Sequence, residues 1–488
     1  VRVSAAAPQP VSFNPFKRLA NDLRSERSWD GALPPGPTNF SARRTYKVAR
    51  EPLPLLLDAY REHGPVFSMR ILHASGVFML GPEANHYMLV ENAANFRWRD
   101  GAFIDLIPLL GDGMLTIDGT YHRRARRIML PAFHRDRIAA SQATMVEETE
   151  RALDGVHPGE ELDVYHWTRA LAMRIAMRAL FGFDPDRSGR GIDVADEFER
   201  ALSYYAADYA VQSLRGPFTP WRRMREARRL LDRVIYAEIA QRRAQDELGE
   251  DVLSLLMQAR DEDGSTYSDR ELRDQLMTLL FAGHDTTTST VTFLFLELAR
   301  HPAVLAGLLE EQDEVLDGRA PAAADVTGEA LPRLEMALEE TLRLYPPAWI
   351  GPRRSVEAFE FGGHRIPAGV PVSYCSWASH RIPEVFPEPE AFVPERFAPE
   401  AKARLPKGAY VPFGGGSRTC IGMRFGQMEI RTISTLILQR MRLGLVPGHT
   451  VSIRQMPTLS PRGGLPMLVQ EREAPLPATA GRPAGSPR

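Results

Sequence analysis

Cysteine is nearly missing. Only Cys375 and Cys420 occur in 488 residues, so a disulfide framework is excluded in practice, and a reducing compartment, the cytoplasm, is the expected location. Long apolar runs are missing too. No stretch of about 18 apolar residues occurs, so no membrane span is expected, and the first ten residues lack the apolar core of a signal peptide. Charge of one sign is not in excess. The formal net charge is −2, which removes the electrostatic case for nucleic acid. Lysine is confined to Lys17, Lys47, Lys402 and Lys407; every other basic side chain is Arg. What is present, 44% hydrophobic and 25% charged residues, suffices for a large globular core.

No linker and no repeat of 20 to 50 residues interrupts the chain. Residues 1–30 are polar and read as a disordered N-terminal segment. The Ala/Pro/Gly-rich stretch 473–488 reads as a disordered tail. Between them, 31–472 forms one large domain, opened by the stiff Leu33-Pro34-Pro35-Gly36-Pro37. Alternation predicts strands at 66–71 and 77–80. Helical periodicity follows at 139–153, 165–181, 194–209, 220–245, 271–300, 334–344 and 423–443, with short strands near 360–366 and 371–374. The fold class is mainly α with small β-sheets.

Residues 413–422, Phe-Gly-Gly-Gly-Ser-Arg-Thr-Cys-Ile-Gly, carry the most chemistry. A thiolate holds a haem iron without a second protein ligand from the same loop. Glycines permit a tight backbone close to a flat group, and a helix starting after Cys420 favours thiolate over thiol. Taken alone, a lone Cys is usually a small buried hydrophobe, and Cys375, in an apolar stretch, reads that way. A second feature is a helix capped by Ser268 and Glu271 and stopped before Pro302. Its centre, Ala282-Gly283-His284-Asp285-Thr286-Thr287-Thr288-Ser289-Thr290, is poor in helix formers. Two readings stay open there: a local opening beside a small ligand, or Thr hydroxyls bonded back to helix carbonyls, the second assigned to residues 287–290. His284 is a candidate for a proton network, with an exposed or capped side chain as the plainer alternative. Glu340 and Arg343, at i and i+3, face the same way.

The ordered set, Phe413/Gly414/Arg418/Cys420/Gly422, Ala-Gly-x-Asp-Thr-Thr, Glu-x-x-Arg and Pro394-Glu395-Arg396-Phe397, resembles the cytochromes P-450, haem-thiolate monooxygenases, from about Leu33 to Val469. The absence of an anchor and the Arg-rich composition suit the soluble bacterial type. The resemblance implies one haem b (iron protoporphyrin IX) domain with the P-450 fold and Cys420 as the axial ligand of the haem iron. Thr286 would hydrogen-bond dioxygen, Asp285 would relay protons, and Ala282 and Gly283 would let the haem face approach the helix. His122, Arg126, Arg353 (or its neighbour Arg354) and Arg418 would hold the propionates. Glu340, Arg343 and Arg396 would form a buried structural cluster.

The activity implied is insertion of one oxygen atom from O2 into a C–H or C=C bond of an apolar substrate of fatty acyl, terpenoid or polyketide class. Phe103, Ile104, Ile107, Phe281, Ala348, Ile350 and Leu459 are the candidate pocket residues. With no flavin or nicotinamide fingerprint in the chain, electrons would come from an external ferredoxin or flavodoxin and its NAD(P)H-dependent reductase. Arg123, Arg124 and Arg127 are expected to form a basic face toward an acidic ferredoxin. Alternatives with the same site are desaturation, C–C coupling or decarboxylation; a non-catalytic haem sensor or electron carrier is disfavoured by the intact Asp285–Thr286 pair.

Overall fold

The computed structural model describes residue 8 and residues 13–183, 193–207 and 209–472. The predicted tail at 473–488 lies outside the described residues, as do residues 1–7 and 9–12. The expectation of disorder over 1–30 fails for residues Pro15–Arg27, which form helix α1. Its start is an N-cap: the Asn14 side chain accepts from the Phe16 and Lys17 backbone N–H groups, with Pro15 in the first turn. Its polar residues are spent on pairing, Asp22 with His73 and Arg354, and Glu26 with Arg70.

The other helices that shape the site are α2 (Gly119–Met129), α3 (Arg135–Leu153), α4 (Val164–Ile175), α5 (Val194–Ala206), α6 (Pro220–Arg243), α7 (Asp269–Arg300), α8 (Pro332–Leu344) and α9 (Met423–Arg440). The principal sheet has strands β1 (Val66–Ile71), β2 (Ala74–Met79), β3 (Phe96–Arg97), β5 (Gly351–Ser355) and β8 (Pro371–Tyr374), in the order β1-β2-β8-β5-β3. The parallel β2–β8 pairing, Val77 opposite Val372, ties the N-terminal hairpin to the C-terminal third. Strand β4 (Glu161–Asp163) is one edge of a second sheet, and β6 (Phe359–Phe361) and β7 (His364–Ile366) form a hairpin. Gly362 and Gly363 at its turn both have positive φ, the geometry a two-residue hairpin demands.

Several boundaries differ from the sequence expectation. The 423–443 helix stops at Arg440, and Met441–Leu445 becomes strand β9, paired with β12 (Pro466–Glu471) of the β4 sheet. Met441 and Leu443 are buried while Arg442 is half-exposed, a period of two at a helix end. The 165–181 helix widens into a π turn at Ala176–Leu180, and the 194–209 helix ends at Ala206.

Helix α7 runs through the interior. From Leu272 to Leu298 every residue is buried except Ala282, Gly283 and Thr286. Among the described residues no single helix is long and apolar enough to cross a membrane; α7 with the following helix passes only as a pair bent by 112°.

Candidate active site

The cysteine loop is closed by its own backbone: the Cys420 N–H donates to the Phe413 carbonyl at 3.0 Å. Gly414 and Gly416 have positive φ, and a Cβ on Gly416 would lie 2.2 Å from the Leu89 carbonyl oxygen, so no other residue fits there. The two cysteines contrast. Cys375 is buried, and burial pushes its thiol up to about 12. Cys420 is accessible. Neighbouring protein raises its pKa, while the Gly422 N–H and Arg126 pull it back. Iron coordination deprotonates a thiol outright.

Behind the loop lies an ion cluster centred on a fully hydrogen-bonded Arg343. Arg343 and Glu340 on α8 are both 0% exposed and joined by two hydrogen bonds, of 2.6 and 2.8 Å. Arg343 also donates to the carbonyls of His380, Pro389 and Ala391, and Arg396 approaches Glu340 at 3.4 Å. His380 carries the cluster to the loop. Burial, then Arg343, lowers its pKa to about 3, and its neutral ring accepts from the Val411 N–H at 2.9 Å, two residues before Phe413.

A second set of basic groups is only partly satisfied. Arg418 donates to Asp118, at 2.7 Å, and to the carbonyls of Ile117 and Met114. Burial lowers its pKa to about 10. Arg353 is 3% exposed and lies 3.6 Å from the Trp98 ring centroid, with Arg418 at 5.0 Å from the same ring. The Arg353 Nη1 donates to the Pro352 carbonyl, while its Nη2 is buried without a hydrogen-bond partner among the described residues. Burial lowers its pKa also to about 10. Arg354 is the next residue along β5 and so faces the other way; it bonds Asp100, Gly369, Ser25 and Asp22. Of the two alternatives, Arg354 is therefore the one already paired elsewhere. Burial and the surrounding Arg418, Arg126 and Arg123 lower the pKa of His122, on α2, to about 3, so its ring is neutral. Arg126 is half-buried beside Cys420.

On α7 the three unburied residues, Ala282, Gly283 and Thr286, share one face, and a Cβ on Gly283 would meet nothing within 4 Å. The helix is continuous, so the expected local opening is not a break. Thr286 donates to the Ala282 carbonyl at 2.6 Å, and Thr288, Thr290 and Thr292 bond back in the same way. Thr287 does not bond back as expected; it donates to Glu429 of α9 at 2.8 Å. Burial raises the Glu429 pKa to about 8.

Asp285 does not itself reach solvent. Its Oδ2 accepts from Thr458 at 2.6 Å, and its Oδ1 lies 3.3 Å from Arg169 of α4. His284 is neither exposed nor capped: it is buried, with Nε2 3.3 Å from Glu199 of α5.

Of the candidate pocket residues, Phe103 stacks on Trp98 at 4.7 Å. Ile107 and Phe281 are buried, Ile104 and Ile350 half-buried, and Ala348 exposed. Leu459 has no accessible surface and so packs in the core rather than lining open space; its N–H is held by the Pro347 carbonyl at 3.1 Å. The basic face on α2 is also reduced. Arg124 pairs with Glu271 and Asp261, and Arg127 with Asp261 and Glu262, which leaves Arg123.

Sequence reading missed Trp98, Asp118, Arg169, Glu199, Glu429 and Thr458. None belongs to a local motif; each becomes visible only when distant segments meet.

The site fits iron protoporphyrin IX on three counts: an accessible cysteine in a glycine cradle, a buried guanidinium with an unpaired N–H, and a helix face that space adjoins. The comparisons agree. The cytochrome P450 family model matches residues 34–466. Cyclooctatin synthase of Streptomyces melanosporofaciens is 35% identical, over 93% of this chain and 99% of its own length. Cyclooctat-9-en-7-ol 5-monooxygenase of the same organism is also 35% identical, over 92% and 96%. A retinoic-acid-bound cyanobacterial CYP120A1 structure superposes with a TM-score of 0.81 at 26% identity, over 90% of this chain and 100% of that one. Motifs, donor set and fold converge on a haem b monooxygenase acting on apolar molecules: the chain belongs to the cytochrome P450 family.

Proposed function

We propose that this monooxygenase hydroxylates a terpenoid-type hydrocarbon skeleton, with Cys420 as the thiolate that would hold the haem iron and Asp285 and Thr286 as the proton-handling pair. The observation that carries the residue roles is the single unburied face of α7, Ala282, Gly283 and Thr286. The substrate class draws support from the apolar side chains of Phe103, Ile107, Phe281 and Ile350 and from the two relatives named for cyclooctatin chemistry.

When bound, the haem supplies the oxygen chemistry. Arg353, Arg418, Arg126 and neutral His122 would hold its carboxylates. The backbone N–H of Gly422 and the start of α9 stabilise negative charge on the sulfur. Thr286, whose hydroxyl needs only to turn from the Ala282 carbonyl, offers a hydrogen bond to dioxygen. Asp285 stands one residue away as the acid that replenishes its proton. The buried walls of α7 exclude water from the reaction. Electrons come from a separate ferredoxin or flavodoxin with its reductase, and the enzyme works in the cytoplasm as one catalytic domain.

Two measurements test this reading. Reduced, CO-treated wild type should absorb at the long wavelength of thiolate ligation, and Cys420→Ser should not, whereas Cys375→Ser should. A panel of cyclic terpenoid alcohols, fatty acids and macrolides, scored by the shift of the haem band on binding, should respond to the terpenoids. A response confined to fatty acids or macrolides would overturn the substrate class while leaving the thiolate result standing.

A further inference from the structure

Asp285 is buried, so protons must reach it through other groups. Four ionisable side chains from three helices meet there. Arg169, from α4, donates through Nε to Glu199 of α5 and places Nη2 3.3 Å from Asp285 Oδ1. The same Glu199 oxygen lies 3.3 Å from His284 Nε2. Tyr165 accepts from Arg169 at 2.6 Å and from Arg454 at 2.8 Å, and Thr458 holds the other oxygen of Asp285. Phe198 presents its ring edge-on to His284 at 6.0 Å.

Two properties set this cluster apart from an ordinary ion-pair network. The Glu199 side chain is 40% exposed, while those of His284 and Asp285 are 1% exposed, so Glu199 reaches furthest toward solvent. Both ring nitrogens of His284 and Asp285 Oδ1 are buried without a hydrogen-bond partner among the described residues. Buried polar atoms in that condition take up bridging water. An arginine does not release its proton, which leaves the histidine as the carrier.

We propose that Glu199 and His284 form the solvent-side entrance of the proton route to Asp285. A proton enters from water at the exposed edge of Glu199 and passes to His284 Nε2. The imidazolium then gives up its Nδ1 proton toward Asp285 Oδ1, through a bridging water. One proton enters the ring and one leaves; a tautomer flip resets it, and no electrons move. Arg169 and Thr458 are positioning residues that hold the carboxylates. Burial of its inner edge works against ionisation of Glu199, but the neighbouring His284 and the Arg169 charge keep its pKa below the usual carboxylate range. It therefore passes protons on without storing them. Because Glu199 rides on α5, displacement of that helix would open or close the entrance.

The inference rests on Asp285 as the acid, so Asp285→Asn is the reference variant. In haem-loaded enzyme with its redox partners, Glu199→Gln and His284→Asn should each lower product formed per reducing equivalent about 100-fold, the low end of positioned proton transfer. Substrate-induced spectral shift and first-electron reduction should stay unchanged. Glu199→Asp, which keeps the carboxylate, should restore most of the product. A readout independent of turnover is the ring-15N spectrum of labelled histidine. The His284 resonances should move in Glu199→Gln, because the carboxylate 3.3 Å from Nε2, which biases the ring tautomer, is removed. If Asp285→Asn couples normally, the role of Asp285 itself falls. If Asp285→Asn fails but Glu199→Gln keeps the wild-type pH profile of product formation and the wild-type histidine spectrum, the entrance lies elsewhere and the proposal is wrong. Equal loss in Glu199→Gln and Glu199→Asp with a lowered melting temperature would make the cluster structural and also overturn it. Should His284→Asn fail to fold, the half-exposed Glu199 variants carry the test.

Discussion

Arg343 and Arg353 are close in sequence, both deeply buried, and opposite in what surrounds them. Arg343 has Nε and both Nη groups bonded, to Glu340 and three carbonyls. Arg353 lies on Trp98 with one Nη unpartnered among the described residues. A buried charge without a partner is costly, and folded proteins leave very few such atoms. The closed cluster therefore serves the fold, and the open one keeps an N–H to offer an anion, the role we propose for it toward the haem carboxylates. Cysteine repeats the contrast, with Cys375 sealed and Cys420 accessible.

Breaking the closed cluster should have the largest effect. Arg343→Ala or Glu340→Ala strands the partner charge in the core, which costs about 3–5 kcal/mol. Little soluble protein should form, and what forms should melt far lower even without haem. A melting temperature equal to wild type in either variant would dissolve the distinction between the clusters.

The open cluster should respond the other way. Arg353→Leu removes an incompletely paired charge, so the haem-free protein should melt no lower than wild type. Haem should be lost more readily, by about 2 kcal/mol for a charge-assisted hydrogen bond, or roughly tenfold to a hundredfold in retention. Transfer of haem to an apo-myoglobin acceptor measures this. Arg354→Leu is the internal control: its partners are on α1 and in loops, so haem transfer should not change. If both variants lose haem alike, the orientation of β5 does not decide which arginine serves the site.

A third comparison is pH-dependent. Burial lifts the Glu429 carboxyl from 4.5 to about 8, so between those values the folded state holds a proton that the unfolded state has released. Its contribution to stability is complete below about 4.5 and is lost as pH rises toward 8. His122 and His380 act in the opposite sense, with pKa values lowered from 6.5 to about 3. They stay neutral in the fold while the unfolded chain takes up protons, so stability falls as pH drops from 6.5 toward 3. Melting temperature against pH should therefore sag on both sides. Glu429→Gln, neutral at every pH, should flatten the alkaline side alone; an unchanged alkaline slope would show that Glu429 ionises freely.

The parts legible in sequence were local. The cysteine loop, the capping box and the Glu340–Arg343 spacing each lie within a few residues, and backbone rules read them. The choice between Arg353 and Arg354 needed the strand's facing, which needs its neighbours. Helix α1 was hidden because its charged residues look solvated until Asp22 and Glu26 find partners far along the chain. Arg169, Glu199 and Thr458 were invisible for the same reason: they converge on Asp285 from three separate elements, and no spacing rule connects them. The Thr287 hydroxyl, assigned to its own helix, crosses to α9 because a buried carboxyl waits there.

The smallest expected effect on stability isolates the same contrast within one helix. Thr286 and Thr288 both donate to the carbonyl four residues back, at 2.6 and 2.8 Å. Thr288 is fully buried, while Thr286 belongs to the one unburied face. Removing either hydroxyl frees a carbonyl at a cost of about 1 kcal/mol, so melting temperatures of Thr286→Ala and Thr288→Ala should drop slightly and similarly. Chemistry should separate them. Thr286→Ala should bind haem and substrate normally yet divert reducing equivalents to peroxide, because the proton supply at Asp285 loses the hydroxyl through which it acts. Thr288→Ala, whose hydroxyl faces only packed protein, should form product as wild type does. The ratio of product to NADPH consumed, measured with peroxide release, decides it. Equal coupling in Thr286→Ala and Thr288→Ala would mean that the open face of α7 contributes space and no hydrogen bond.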